Sequence, residues 1–144
     1  MIDSKNVTVG IIGGKGKMGR LFADFFKQNG CKVLISDIDT KLTNEKLAAS
    51  SDIIIVSVPI DQTRPVIKKI VQHTQKGGLL MDLTSVKENP VKEMLKSNGE
   101  VIGLHPMFSD TTPMRGQTMV MCPARAKKWG PWINFRFEFV VILV

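Results

Sequence analysis

Short, almost entirely apolar runs alternate along this chain with longer segments in which apolar residues recur every three or four positions. The runs predict strands buried on both faces, as in a parallel sheet. They are residues 7–12, 33–35, 53–58, 79–83, 101–104 and 118–121. The amphipathic segments between them predict helices that cross from one strand to the next. This alternation predicts an α/β fold with a doubly wound, mainly parallel sheet.

Residues that start or stop helices refine this outline. A stripe of apolar residues that begins at Met18 predicts the first helix. Thr63 is expected to cap the helix after the third strand, with Pro65 in the first turn of that helix. Either Thr84 or Ser85 is expected to cap the helix after the fourth strand.

The end of the chain is harder to interpret. We assign residues 1–122 to one domain and residues 123–144 to a basic, then apolar tail, which we expect to supply the last helix or strand of the same domain. Residues 124–133 could begin a helix, but Gly130 and Pro131 are expected to interrupt it. Residues 135–144 predict a strand.

Composition narrows the class of protein. With 144 residues, 43% of them hydrophobic and 23% charged, the chain is expected to form one compact domain. No apolar run is long enough for a membrane helix, and the first residues lack the apolar core of a signal peptide, so we expect a cytoplasmic protein. Two cysteines without CxxC spacing predict neither a disulfide framework nor a metal site.

The net charge of +7 raises the question of an anionic partner. Aromatic residues do not alternate with the basic ones, and no Arg-rich run occurs. Nucleic acid is therefore not expected as a partner, and two interpretations of the positive charge stay open, namely binding of anionic metabolites and solubility alone.

A glycine motif joins the first predicted strand to the first predicted helix. The GxGxxG pattern consists of Gly14, Lys15, Gly16, Lys17, Met18 and Gly19. In this setting the glycines allow a tight turn and a close approach to a pyrophosphate, while free N–H groups and the helix dipole face the anion. The motif therefore predicts a Rossmann-type dinucleotide-binding domain over residues 1–122.

An acidic residue at the end of the second strand bears on the choice of dinucleotide. A carboxylate at Asp37 could accept hydrogen bonds from the ribose hydroxyls of an adenosine and would repel a 2′-phosphate, which favours NAD over NADP. NADP stays open as an alternative, since Lys41 could pair with that phosphate if its loop turned inward.

Further candidate residues follow the third, fourth and fifth strands, at the edge where open α/β sheets bind ligands. The residues expected to flank the cofactor are Ser57, Val58 and Pro59. Thr84 or Ser85 could offer a hydroxyl to nicotinamide or substrate. His105 places an imidazole after the fifth strand, where it is suited to act as a general base near neutral pH. A packing role for His105 stays open on position alone.

Four segments together resemble the prephenate dehydrogenase family. In family order the chain carries GGKGKMGRLF at 13–22, SVPI at 57–60, DLTSVK at 82–87 and GLHPMF at 103–108. The resemblance covers about residues 7–122. It implies an NAD(P)-dependent oxidative decarboxylation of prephenate to 4-hydroxyphenylpyruvate, in tyrosine biosynthesis. By this resemblance His105 accepts the ring hydroxyl proton, hydride passes to the nicotinamide, and carbon dioxide leaves. Ser85 would bind substrate and orient His105, and Thr84 would lie beside the cofactor.

The resemblance also implies a helical second domain, which these 144 residues do not predict. We interpret the chain as the cofactor-binding part, which forms a homodimer or pairs with such a helical domain. We expect it to bind nucleotide without turning over prephenate by itself. Arogenate stays open as the substrate. Two other functions stay open: a nucleotide-binding regulatory module without catalysis, and another Rossmann-type reductase, such as a relative of the β-hydroxyacid dehydrogenases or pyrroline-carboxylate reductases.

Overall fold

The computed structural model describes residues 2–144, apart from the side chain at position 135. Within this part of the chain there are seven strands and five α-helices. The strands are β1 Thr8–Ile12, β2 Lys32–Ser36, β3 Ile53–Val56, β4 Leu79–Asp82, β5 Glu100–Pro106, β6 Thr118–Arg125 and β7 Val140–Leu143. The helices are α1 Lys17–Gln28, α2 Asn44–Ala49, α3 Ile60–Ile70, α4 Glu88–Met94 and α5 Trp129–Phe137.

All seven strands form one sheet in the order β2-β1-β3-β4-β5-β6-β7. The first five strands in chain order pair in parallel, β6 runs antiparallel to β5, and β7 pairs in parallel with β6. The predicted doubly wound, mainly parallel α/β sheet is therefore confirmed.

Helices cover both faces of the sheet, which explains why the strands are apolar throughout. On β3, Ile53 and Ile55 face the layer formed by α1 and α5, whereas Ile54 and Val56 face the layer formed by α2, α3 and α4. The central strands β1, β3, β4 and β5 thus bury alternate side chains in two separate cores, whereas most of the edge strand β7 is exposed.

Two details of α3 differ from the prediction. The helix begins at Ile60, so Thr63 lies in its second turn, where the Thr63 hydroxyl donates to the Pro59 carbonyl 3.2 Å away. Pro65 is the sixth residue of the helix rather than part of its first turn. A proline there removes one backbone hydrogen bond, and the buried Ile67 and Ile70 pack α3 against the sheet.

The tail also differs from the prediction. Gly130 and Pro131 do not interrupt a helix, because they lie in the first turn of α5, where proline needs no hydrogen-bond partner for its nitrogen. The Glu100 carboxylate accepts hydrogen bonds from the backbone N–H groups of Lys128 and Trp129, at 2.7 and 2.9 Å, and so caps this helix. The predicted strand over 135–144 is shorter, since α5 runs to Phe137 and β7 occupies only Val140–Leu143.

The boundary at residue 122 stays a prediction. β6 continues to Arg125, and β7 pairs with β6 along its whole length. Among residues 2–144 no helix is both long and apolar enough to cross a membrane.

Candidate functional site

The chain reverses its direction of travel across the sheet between β1 and β3, and this leaves a crevice at the carboxyl ends of these strands. From β1 the chain passes through α1 to β2 at the sheet edge, then returns through α2 on the other face to β3. Ligands of open α/β sheets bind at such a reversal point. Two adjoining clefts of about 660 and 480 Å³ lie here, and both are lined by Gly16, Ser57 and Val58.

The loop after β1 turns at Gly13, a residue that the GxGxxG motif does not include. Gly13 has a φ of +81°, and a β-carbon on it would collide with the carbonyl of Ser57. Its N–H and that of Gly14 both donate to the Ser36 carbonyl, at 2.8 and 3.2 Å. The first motif glycine, Gly14, is a central residue of the turn that the Gly16 N–H closes on the Gly13 carbonyl at 3.1 Å, and Gly13 adds the left-handed conformation at its start. The Gly13–Gly14 pair directly after a strand was the signal that could have identified Gly13.

The three motif glycines differ in what a β-carbon would meet at their positions. A β-carbon on Gly14 would collide with the Ile35 side chain, and one on Gly19 would lie 2.9 Å from the Gly14 Cα. Protein packing therefore requires both glycines. A β-carbon on Gly16 would meet only the Gly13 carbonyl, at 3.3 Å, and Gly16 lines both clefts. The open space at Gly16 is the space that the predicted pyrophosphate requires.

Helix α1 points its amino end into the same space. Gly16 is the N-cap residue and offers no side-chain cap. Among the described residues, the backbone N–H groups of Lys17, Met18 and Gly19 have no hydrogen-bond acceptor outside the helix, and the first helical bond joins Arg20 to Gly16. Three free N–H groups at the positive end of a 12-residue helix form an anion-binding surface.

Asp37 lies at the rim of the larger cleft and is tied to the glycine loop. One of its carboxylate oxygens accepts from the Lys15 N–H at 3.0 Å, and the other accepts from the Ile38 N–H at 2.8 Å. The Lys15 ammonium forms an ion pair with Asp39 at 2.9 Å, and this hydrogen bond lowers the pKa of the Asp39 carboxyl. Lys41, the alternative partner for a phosphate, is exposed and does not line the cleft.

Residues after β3 form the floor that the two clefts share. The Ser57 N–H donates to the Ile12 carbonyl at 2.8 Å, which holds this segment beside β1. Val58 and Pro59 line the larger cleft, and Pro59 is the N-cap residue of α3. The structure therefore brings these three residues together with Gly16.

Thr84 and Ser85 line the smaller cleft, but their side chains differ in environment. Thr84 is buried, with its hydroxyl within 2.5 Å of the Asp82 carboxylate and 2.8 Å of the Val86 carbonyl. Ser85 is exposed at the cleft. The sequence predicts that one of these two residues caps α4. This prediction is wrong, because the N-cap position is Lys87.

His105 lies near the end of β5 and is half-buried. It lines neither cleft, and its ring has no hydrogen-bond partner among residues 2–144. It follows Gly103 by two residues on the same face of β5, and Gly103 pairs in register with Asp82 at the end of β4. The histidine is thus one strand beyond the segment that carries Ser85.

The structure contains an ion pair between the ends of β4 and β5 that the sequence did not predict. The Lys87 ammonium lies 2.6 Å from each carboxylate oxygen of Asp82 and 2.6 Å from the Leu104 carbonyl. The Asp82 side chain is fully buried and that of Lys87 is 14% exposed. Burial lowers the pKa of Lys87, and the Asp82 charge opposes this effect. One signal in the sequence could have indicated this pair. Asp82 ends an apolar strand, and Lys87 follows it by five residues.

Known proteins resemble this chain in sequence. The family described as prephenate dehydrogenase, nucleotide-binding domain, matches residues 22–135. The probable arogenate/prephenate dehydrogenase of Methanocaldococcus jannaschii is 35% identical, over 96% of this chain and 35% of the relative. The T-protein of Haemophilus influenzae is 38% identical, over 92% of this chain and 36% of the relative. The chain therefore spans about a third of the length of these curated relatives.

A solved structure resembles it in fold. The crystal structure of prephenate dehydrogenase from A. aeolicus in complex with hydroxyphenyl propionate and NAD+ superposes with a TM-score of 0.76. The match covers 96% of this chain and 59% of that chain, at 22% sequence identity.

Proposed function

Because this chain belongs to the prephenate dehydrogenase family, through the nucleotide-binding domain of that family, we propose that it binds NAD+ and forms the cofactor-binding part of a dehydrogenase for prephenate or arogenate. The observation that carries the proposal is the pair of adjoining clefts at the reversal point of the sheet, which share the side-chain-free surface of Gly16. The NAD+ complex of the A. aeolicus protein, which has the same fold, supports the choice of ligand.

The groups around the clefts suit the parts of a dinucleotide. The free N–H groups of Lys17, Met18 and Gly19 would hold the pyrophosphate, with Gly16 below it and Lys15 beside it. Adenosine would occupy the larger cleft with its ribose at Asp37. The smaller cleft, between the Ser57–Pro59 segment and Thr84, would take the nicotinamide end. Nine of the eleven predicted cofactor residues line these two clefts, whereas Gly14 lies in the loop between β1 and α1 and Gly19 lies in the first turn of α1.

The predicted preference for NAD over NADP rests on charge. Asp37 and Asp39 bring two carboxylates to the rim where the adenosine ribose would lie, and among the described residues only the Lys15 ammonium forms an ion pair there, with Asp39. A 2′-phosphate placed there would meet net negative charge, which disfavours its binding.

Ser85 and His105 are proposed as the catalytic residues. Bound NAD+ would supply the hydride acceptor. His105 would accept the proton of the substrate hydroxyl, and its imidazole, with no partner among the described residues, is free to do so. Ser85, exposed beside the smaller cleft, would hydrogen-bond the substrate and orient His105. The chain spans only about a third of its curated relatives, so we propose that a helical domain or a second copy completes the substrate site.

Isothermal titration with NAD+ tests the nucleotide site. We expect the unmodified chain to bind NAD+, and Gly16→Ala to fold but to weaken binding at least about tenfold, because the methyl group fills the space of the pyrophosphate. Gly130→Ala is the matched control, since a β-carbon there would be 3.5 Å from its nearest neighbour, which is ordinary packing. Equal affinity of the Gly16 variant, or no binding by the unmodified chain, would contradict the proposal.

Turnover distinguishes the dehydrogenase from a regulatory module. We expect the chain alone to bind NAD+ without oxidising prephenate, and activity to appear when the helical part of a family member is supplied. Replacing His105 with Asn should then abolish turnover and leave NAD+ affinity unchanged. Full turnover in the His105→Asn protein would exclude the general-base role.

A further inference from the structure

The ends of β4 and β5 are joined by one largely buried side chain. Lys87 reaches back from the start of α4 to Asp82, the last residue of β4, and across to the Leu104 carbonyl of β5. An ammonium has three N–H donors, and the three oxygen atoms around it lie at 2.6 Å each. The group is therefore fully paired, with no proton left for a substrate.

The surroundings are built to admit this lysine. A β-carbon on Gly103 would lie 3.0 Å from Cδ of Lys87 and 2.9 Å from Val91, so the glycine leaves room for the lysine stem. Asp82 also accepts from the backbone N–H and hydroxyl of Thr84. Both ends of the loop over residues 83–86 are thus tied to one carboxylate.

We propose that Lys87 is a positioning residue, which fixes the loop that carries Ser85 relative to the strand that carries His105. Ser85 lies two residues before the lysine, and His105 directly follows the carbonyl that the lysine binds. With the ammonium in place, the two residues cannot separate without breaking a charged hydrogen bond in a buried setting. The functional meaning of this tie rests on the proposed roles of Ser85 and His105, whereas the tie itself is testable without any ligand.

The alternative is a pair that only stabilises the fold. Breaking a buried ion pair leaves an uncompensated charge and destabilises any protein, whereas replacing both partners by neutral groups is often close to neutral. The variant with Asp82→Asn and Lys87→Met separates the two roles. It removes both charges and the bond to Leu104, while the amide oxygen introduced at position 82 can still accept from Thr84.

The first experiment measures amide hydrogen exchange of the chain without ligand, in unmodified protein, in Lys87→Met and in the double variant. We expect the buried Thr84 amide, which donates to Asp82 at 3.2 Å in the unmodified chain, to exchange about tenfold faster or more in both variants, because the loop loses its charged bond to Leu104 in both. Lys92→Met is the matched control, since Lys92 forms an exposed ion pair with Glu88 on the same helix. If the double variant regains both stability and loop protection, the positioning role is refuted.

The second experiment uses the two histidines as NMR probes. NAD+ should shift the ring signals of His105 and leave those of His73, which follows α3, unchanged. In the double variant we expect NAD+ affinity within about threefold of the unmodified chain, but a His105 shift reduced by half or more. An undiminished shift would refute the positioning role, whereas failure of the unmodified chain to bind NAD+ would refute the proposed function and leave the exchange result standing.

Discussion

Truncation of Phe137 tests whether the tail is part of the cooperative domain. The side chain is fully buried, and its ring centroid lies 4.6 Å from that of Phe25, 5.4 Å from Phe26, 5.9 Å from Phe22 and 4.5 Å from Phe139. Most of these rings belong to α1, the helix that begins at the glycine loop. The tail therefore supports the helix that carries the proposed anion-binding end.

The structure sets the size of the expected effect. Phe137→Ala removes a whole ring from a closely packed cluster, which costs about 3–5 kcal/mol in comparable cores. An unfolding entropy of about 2.1 cal/mol/K per residue gives about 0.3 kcal/mol/K for a chain of this length, so Tm should fall by about 10–16 °C. Because native domains are stable by only about 5–15 kcal/mol, the variant should still fold at low temperature.

Calorimetry and urea unfolding provide the assay. Leu143→Ala is the control, because Leu143 is 65% exposed on β7 and its truncation should cost less than about 1 kcal/mol. We expect one cooperative transition in every variant. A loss below about 1 kcal/mol for Phe137→Ala, or a separate transition for the tail, would refute the reasoning.

Three further predictions concern charge and burial. Asp39→Ala should tighten NADP+ binding about three- to fivefold in a titration, because it releases the Lys15 ammonium and removes a like charge; unchanged affinity would exclude Lys15 as a phosphate partner. Burial raises the pKa of the Cys31 thiol to about 11, so about one thiol in a thousand is ionised at pH 8, and iodoacetamide should modify Cys31 only after unfolding. Hydrogen bonds from Lys96 and then Arg64 lower the pKa of Glu93 below its usual 4.5. Glu93 therefore stabilises the fold above that pH and loses this contribution as pH falls, so Glu93→Gln should flatten the acid limb of the stability curve.

The sequence by itself determined the architecture and the location proposed for the nucleotide site. Apolar runs, amphipathic stripes and the glycine motif are local patterns, and each depends on residues within about ten positions of one another. Strands that are apolar on both faces require helices on both faces, so the doubly wound sheet followed without any knowledge of contacts. For the same reason the rim residues after β3, β4 and β5 could be identified from chain order alone.

Only the tertiary structure decided how that rim is held together. The turn at Gly13 depends on the approach of Ser57, and the tie made by Lys87 depends on Leu104, which is 17 residues away and on the next strand. Pairing between strands brings such residues together, and no local pattern encodes the distance between them. The same holds for α5, whose first turn is capped by Glu100 from β5. Local periodicity specifies elements, whereas contacts between elements decide which polar groups meet, because burial makes an unpaired polar group costly only after the elements have packed.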